Sequence, residues 1–233
     1  MGEQVGMVDL RSGQRSFAIC ARFDDLGADG SPRKLGIMGG TFDPIHLGHL
    51  AVAEQARDVL GLDAVVFMPT GRSPYKADSR QASGEERFAM CVMAVADNPA
   101  FDVSPLESLE DGITYTADTL RTIRAHYPSN VELAFIAGAD AIASLANWHE
   151  ADQLAKLARY VGINRPGTPV SSNEAVKKTL EDAGFAVEFI HAPSLDISSS
   201  DLRARIASGG SVRYLLPELV RSFIKENDLY RAW

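Results

Sequence analysis

The chain has 233 residues, 45% of them apolar, with a formal charge of −8 and a pI near 5.1. That length suits one full domain with a sizeable core, with room for a small appendage. The acidity argues against nucleic acid or an anionic membrane as a partner, while a local cluster of positive groups could still hold a small anion.

Met1 to Arg33 carries Gly, Ser and Asp without a sustained period, so it is expected to be a flexible leader. Within it, Ser16–Phe23 could make a short strand or helix, and Ala28–Arg33 has the composition of a linker. From Lys34 onward apolar runs alternate with helical patterns. The expected strands are Leu35–Met38, Ala64–Met68, Phe101–Pro105, Glu132–Ala137, Tyr160–Asn164 and Val187–His191. Helices are expected at 47–60, 85–97, 116–126, 151–158, 173–183, 200–208 and 217–227. That alternation predicts an α/β fold, a doubly wound Rossmann-like parallel sheet with helices on both faces, over residues 34–233. Ligands of such sheets sit beyond the C-terminal strand ends, where the strand order switches. No run approaches the roughly 18 apolar residues of a membrane span, and the N-terminus lacks a basic-then-apolar signal pattern. The two cysteines, Cys20 and Cys91, form no CxxC and no metal pattern, so a reducing cytosol is expected.

The stretch Gly39–His49, GGTFDPIHLGH, follows the first expected strand and leads into a helix. Gly39 and Gly40 let a ligand approach backbone N–H groups. The helix start adds free N–H groups and a positive dipole end, and Thr41 adds a hydroxyl. His46 and His49 share a face if the helix has begun by His46, and both rings can donate to phosphate oxygens. Gly48 between them leaves room. Asp43 and Pro44 read as turn and helix-start residues. Taken singly, a Gly-Gly turn is usually only a turn, and an HxxH pair is more often surface or core histidine than a site. A half metal site is the other reading, but no Cys or third His lies near to complete it. The spacing fits neither GxGxxG nor the P-loop. Further along, Ile197-Ser-Ser-Ser-Asp-Leu-Arg203 offers capping hydroxyls, exposed N–H groups and an arginine on the first turn of a helix. An ordinary N-cap reads equally well there.

Gly39–His49 resembles the signature of the HxGH nucleotidyltransferase superfamily. Separated segments narrow the likeness to bacterial nicotinate-nucleotide adenylyltransferases: Met68-Pro69 with Pro74-Tyr-Lys76, Tyr115–Leu120, Ala137-Gly-Ala-Asp140, Asn147-Trp-His149, Arg165-Pro-Gly167, Ile197–Arg203, Tyr214–Pro217 and Leu229-Tyr230. The resemblance implies adenylyl transfer from ATP to nicotinate mononucleotide, giving deamido-NAD (nicotinate adenine dinucleotide) and pyrophosphate. It implies catalytic roles for His46, His49, Lys76 and Arg203. It implies ATP contacts at Gly39, Gly40, Thr41, Phe42, His49, Gly138, Asp140, Ile197, Ser198, Ser199 and Arg203. Nicotinate-nucleotide contacts are implied at Asp43, His46, Lys76, Tyr115, Thr116, Trp148 and Arg165. Mg²⁺ would ride on the ATP phosphates, with no protein metal cage. Tyr75 stands where the family commonly has histidine, and His149 where it often has another aromatic. A phosphopantetheine adenylyltransferase, a cytidylyltransferase and a non-catalytic nucleotide-binding module are the alternatives. A dehydrogenase is more distant, because its glycine spacing differs.

Overall fold

The computed structural model describes residues 19–71, 82–110, 112–164, 170–191 and 195–231. Six strands form one parallel sheet in the order β3-β2-β1-β4-β5-β6. They are β1 (Arg33–Gly40), β2 (Ala64–Pro69), β3 (Phe101–Val103), β4 (Val131–Gly138), β5 (Arg159–Asn164) and β6 (Val187–His191). The helices are α1 (Leu47–Leu60), α2 (Gly84–Val95), α3 (Thr116–His126), α4 (Ala139–Ile142), α5 (Ala151–Leu157), α6 (Val170–Asp182), α7 (Ser199–Ala207) and α8 (Glu218–Glu226). The doubly wound α/β architecture is the expected one.

Why these residues form strands is plain from their burial. All six residues of β2, AVVFMP, are buried, as a strand covered on both faces requires. Successive residues then serve two different cores. In β4, Ala134 and Ile136 join one core with Ala53 of α1, Met90 of α2, Leu202 of α7 and Ile224 of α8. Leu133, Phe135 and Ala137 join the other with Leu120 of α3, Leu154 of α5 and Leu180 of α6. Two helix layers therefore clamp one sheet. Local signals set the helix ends. Gly61 ends α1 at φ 61°, returning its N–H to the carbonyl of Arg57. Ser83 and Glu86 start α2 with a reciprocal capping box, at 3.1 and 2.7 Å.

The element ends depart from the expected ones in instructive places. β1 runs two residues further at each end, because Arg33 pairs with Val131 and Gly40 with Pro69. β3 stops at Val103, since Pro105 has no N–H to extend the ladder; Ser104 N–H still reaches the carbonyl of Phe67 at 2.8 Å. Pro217 caps α8 rather than joining it. The short α4 and a 3₁₀ turn, Leu145–Asn147, were not foreseen. Of Ser16–Phe23, the described part from Ile19 onward makes bends and turns, neither strand nor helix. It packs at the N-terminal edge of the sheet: Arg22 Nη1 donates to the carbonyls of Asn98 and Phe101, both at 2.9 Å. Among the described residues no helix is long and apolar enough to cross a membrane.

Both thiols are free and buried. Burial pushes Cys20 up to about 11, against a modest opposing effect from its contact with the Tyr127 hydroxyl, and pushes Cys91 higher still. At a pH around the ordinary thiol value of about 8.5, native protein should therefore react slowly with a thiol reagent such as DTNB, while unfolded protein reacts fully at two sites. Fast two-thiol release from the native chain would contradict this packing.

Candidate active site

The strand order reverses between β1 and β4, and a tightly packed junction lies just past it. Two residues beyond the Met38–Ile136 pair, the register puts Gly40 level with Gly138. A Cβ at Gly39 would sit 2.8 Å from the Phe135 ring, and one at Gly40 would sit 2.7 Å from the Phe42 ring. Only glycine lets the strand end pass here. Phe42 follows with φ 50°, an unusual backbone for a bulky residue, and its buried ring meets His49 edge-on at 5.0 Å. The Asp43–Pro44 peptide is cis.

His46 is the N-cap of α1, in extended conformation, so the helix begins one residue later than a shared HxxH face would need. The two rings meet all the same, stacked at 3.6 Å and 22°. The cause is local: His46 N–H donates to His49 Nδ1 at 3.2 Å. That bond makes Nδ1 the acceptor and places the proton of a neutral His49 on Nε2. Gly48 makes room, since a Cβ there would lie 3.0 Å from the His46 ring.

The C-terminal half of the chain closes on the same loop. Ser198 caps α7, its Oγ accepting Asp201 N–H at 3.1 Å. Ser199 Oγ donates to the carbonyl of Pro44 at 2.9 Å. Arg203 Nη1 donates to the carbonyl of Asp43 at 2.8 Å, with Nη2 3.4 Å from Ser200 Oγ. Ile197 N–H turns back to Leu195 O at 2.8 Å. The N-termini of α1 and α7 are thus bonded to one segment, which is what two helix ends sharing one anion require. From β4, Gly138 caps the single-turn α4, and Asp140 is exposed beside it without capping.

Tyr115, Thr116 and Trp148, expected at the nicotinate nucleotide, lie on or beside other elements. Tyr115 caps α3, and Thr116 is its first residue. The Tyr115 ring lies 4.2 Å from His149, tilted by 34°. Trp148 is half-buried, its Nε1–H donating to Ser144 Oγ at 2.9 Å, its ring edge-on to Phe135 at 6.1 Å. Lys76 and Arg165, with their segments Pro74-Tyr-Lys76 and Arg165-Pro-Gly167, lie outside the described residues. Among the described residues no group of three His, Cys, Asp or Glu could hold a metal.

Comparison with known proteins agrees with this geometry. The profile of the cytidylyltransferase-like family matches residues 37–205. A probable nicotinate-nucleotide adenylyltransferase of Desulfitobacterium hafniense is 42% identical over 207 residues, spanning 88% of this chain and all of the relative. Structures of a Plasmodium falciparum nicotinic acid mononucleotide adenylyltransferase, one complexed with APC and one with NaAD, superpose with a TM-score of 0.66. They are 21% identical and cover 85% of this chain and 97% of theirs, a likeness of fold.

Three residues that the sequence reading did not single out for roles hold the site loop or its surroundings. Arg87 of α2, 1% exposed, donates from Nη1 to the carbonyl of Thr41 at 2.8 Å. Tyr230 donates its hydroxyl to Asp43 Oδ1 at 2.7 Å across 187 positions. Burial, with the Asp43 charge beside it, raises the Tyr230 phenol far above its ordinary value. Glu107 is buried near Arg87. An arginine inside an otherwise apolar helix stripe, and an acid between Leu106 and Leu109, were the available signals. Asp43, expected to touch the nicotinate nucleotide, is 2% exposed, and its Oδ1 also accepts Ala82 N–H at 3.3 Å. Tyr230→Phe removes one donor from that buried carboxylate and should lower stability by about 1–3 kcal/mol, read from urea unfolding midpoints. An unchanged midpoint would show that the bond contributes nothing.

Proposed function

The chain belongs to the cytidylyltransferase-like family, and from that premise we propose that it transfers the adenylyl group of ATP to nicotinate mononucleotide. The products are nicotinate adenine dinucleotide and pyrophosphate. The observation that carries this reading is the joining of two helix N-termini at one loop, through Ser199–Pro44 and Arg203–Asp43, beside the stacked His46–His49 pair. We assign residues 34–233 to the transferase domain, joined by Arg33 of β1 and the packed residues from Ile19 onward, and the residues before Ile19 to a leader. A cytoplasmic setting suits the two free, buried thiols.

The chemistry follows from charge. An oxygen of the nicotinate-nucleotide 5′-phosphate attacks the α-phosphorus of ATP. The bond from that phosphorus to the α–β bridging oxygen breaks, and pyrophosphate leaves. A phosphate monoester is already anionic near neutral pH, so no general base is needed. The task is to hold two polyanions together and to meet charge as it builds. Alignment alone can supply about 7–11 kcal/mol, and each well-placed donor roughly 3–4 kcal/mol. Nucleotidyl transfer from ATP calls for a divalent cation on the phosphates, and ATP is taken to enter as its Mg²⁺ complex.

In this reading His49 Nε2, the His46 ring, Arg203 and the α7 N-terminal amides at Ser198 and Ser199 meet the phosphates. Gly39, Gly40, Thr41, Phe42 and Ile197 shape the ATP crevice, and Gly138 and Asp140 face the adenosine. Tyr115, Thr116 and Trp148 receive the nicotinate ring. The Asp43 carboxylate braces the loop. Lys76 and Arg165 keep the phosphate and substrate roles that the family pattern implies.

Purified protein with ATP, Mg²⁺ and nicotinate mononucleotide should release pyrophosphate, and the nicotinamide form should give much less. Equal release with both would leave the reaction and overturn the pocket reading; release with neither would overturn the function. His46→Ala or His49→Ala should cut kcat by about 10²-fold or more while the circular dichroism spectrum is kept. Near-normal kcat in both variants would remove the histidines from the mechanism.

A further inference from the structure

Glu107, in the loop between β3 and α3, has no part in the mechanism above. Its side chain is 7% exposed. Burial raises its pKa, opposed by hydrogen bonds from Thr119 and the Gly71 N–H and by the charge of Arg87. The Thr119 bond is short, Oγ1 to Oε1 at 2.8 Å, and Thr119 Oγ1 also lies 3.3 Å from the carbonyl of Tyr115. Three chain segments meet at this one carboxyl group. Gly71 lies two residues past β2, and a Cβ there would lie 2.5 Å from the Glu107 carbonyl oxygen and 2.6 Å from Thr114 Oγ1. Thr119 belongs to the first turn of α3, which begins at Thr116 and is capped by Tyr115. Arg87 leads on to the carbonyl of Thr41 at 2.8 Å.

A buried carboxyl is a costly way to fill space, because an apolar side chain of similar size avoids the desolvation penalty. What it adds is direction. Its oxygens fix where Thr119 and Gly71 sit, and the Thr119 backbone N–H holds the Tyr115 carbonyl at 3.2 Å. The Tyr115 ring in turn lies against His149, next to Trp148. The Arg87 contact ties the same junction to the loop that carries His46.

We propose that Glu107 is a positioning residue for the nicotinate-nucleotide pocket, locking the first turn of α3, with Tyr115 and Thr116, against Gly71 just past β2. It touches no substrate and acts through Thr119. The proposal rests on the function read above, and the test separates the two. Steady-state rates are measured for the wild type, Glu107→Gln, Thr119→Val and the double variant, varying each substrate in turn. Each single variant should raise KM for nicotinate mononucleotide by about tenfold or more while KM for ATP stays within about twofold. The double variant should be little worse than either single one, because both break the same link. A purely structural role would move neither KM selectively. Wild-type turnover with KM for nicotinate mononucleotide unchanged in the variants, or with both KM values rising together, overturns the proposal alone. No turnover by the wild type overturns the function reading, and the proposal with it. Should Glu107→Gln fail to fold, Thr119→Val keeps the side-chain shape and carries the same test.

Discussion

The site depends on one short loop, Thr41 to His46, being held from outside itself. A loop of six residues between a strand and a helix has few internal hydrogen bonds to fix it. Here its carbonyls at Thr41, Asp43 and Pro44 are taken by Arg87, Arg203 and Ser199. Its one carboxylate is taken by Tyr230 and Ala82. Leu47 N–H, at the helix start, reaches Leu215 O at 3.1 Å. These partners come from α2, α7 and the C-terminal segment, far apart in sequence. The left-handed backbone at Phe42 is tolerable only under such restraint.

That restraint has chemical value. Charge builds on phosphate oxygens during adenylyl transfer, and donors help most when they need not reorganise to meet it. In the proposed reading the His46–His49 stack is such an arrangement. The His46 backbone N–H settles the tautomer of His49, and the close ring packing settles its direction. In the proposed reading Arg203 is likewise held in advance, bonded to the Asp43 carbonyl at 2.8 Å. The acidic net charge of the chain is no obstacle, because the positive groups are local and partly shielded from water.

Much of the fold was legible because its signals are short-range. Runs such as Ala64–Met68 are β-rich and bounded by turn residues, so the strands could be named in order. Their ends could not. Arg33, Lys34, Gly39 and Gly40 extend β1 only because neighbouring strands pair with them, and no local pattern shows that pairing. The single-turn α4 is too short to have a period. At the site, the residues of Gly39–His49 and Ile197–Arg203 were legible from turn and cap chemistry. Their mutual bonds were not, since Ser199 and Pro44 stand 155 positions apart. Asp43 shows the limit most clearly. Its sequence context reads as a turn residue, while the contacts that bury it, Tyr230 above all, come from far along the chain.

The loop also joins the two halves of the sheet. Arg87 comes from α2, which connects β2 to β3 on one side of the strand reversal. Arg203 and Tyr230 follow β6, on the other side. The two cores, one on each face, run across both halves of the sheet, and the loop past β1 is braced from both. In the proposed reading a bond lost at Asp43 or Thr41 is felt where both substrates meet, although Arg87 and Tyr230 need not touch the reacting atoms. Reactions that depend on aligning two bound phosphates are sensitive to such displacements, because about an ångström of misplacement can cost 10²-fold in rate. The buried polar groups around this loop are therefore better understood as fixing a geometry than as adding stability, which apolar packing could supply with less desolvation.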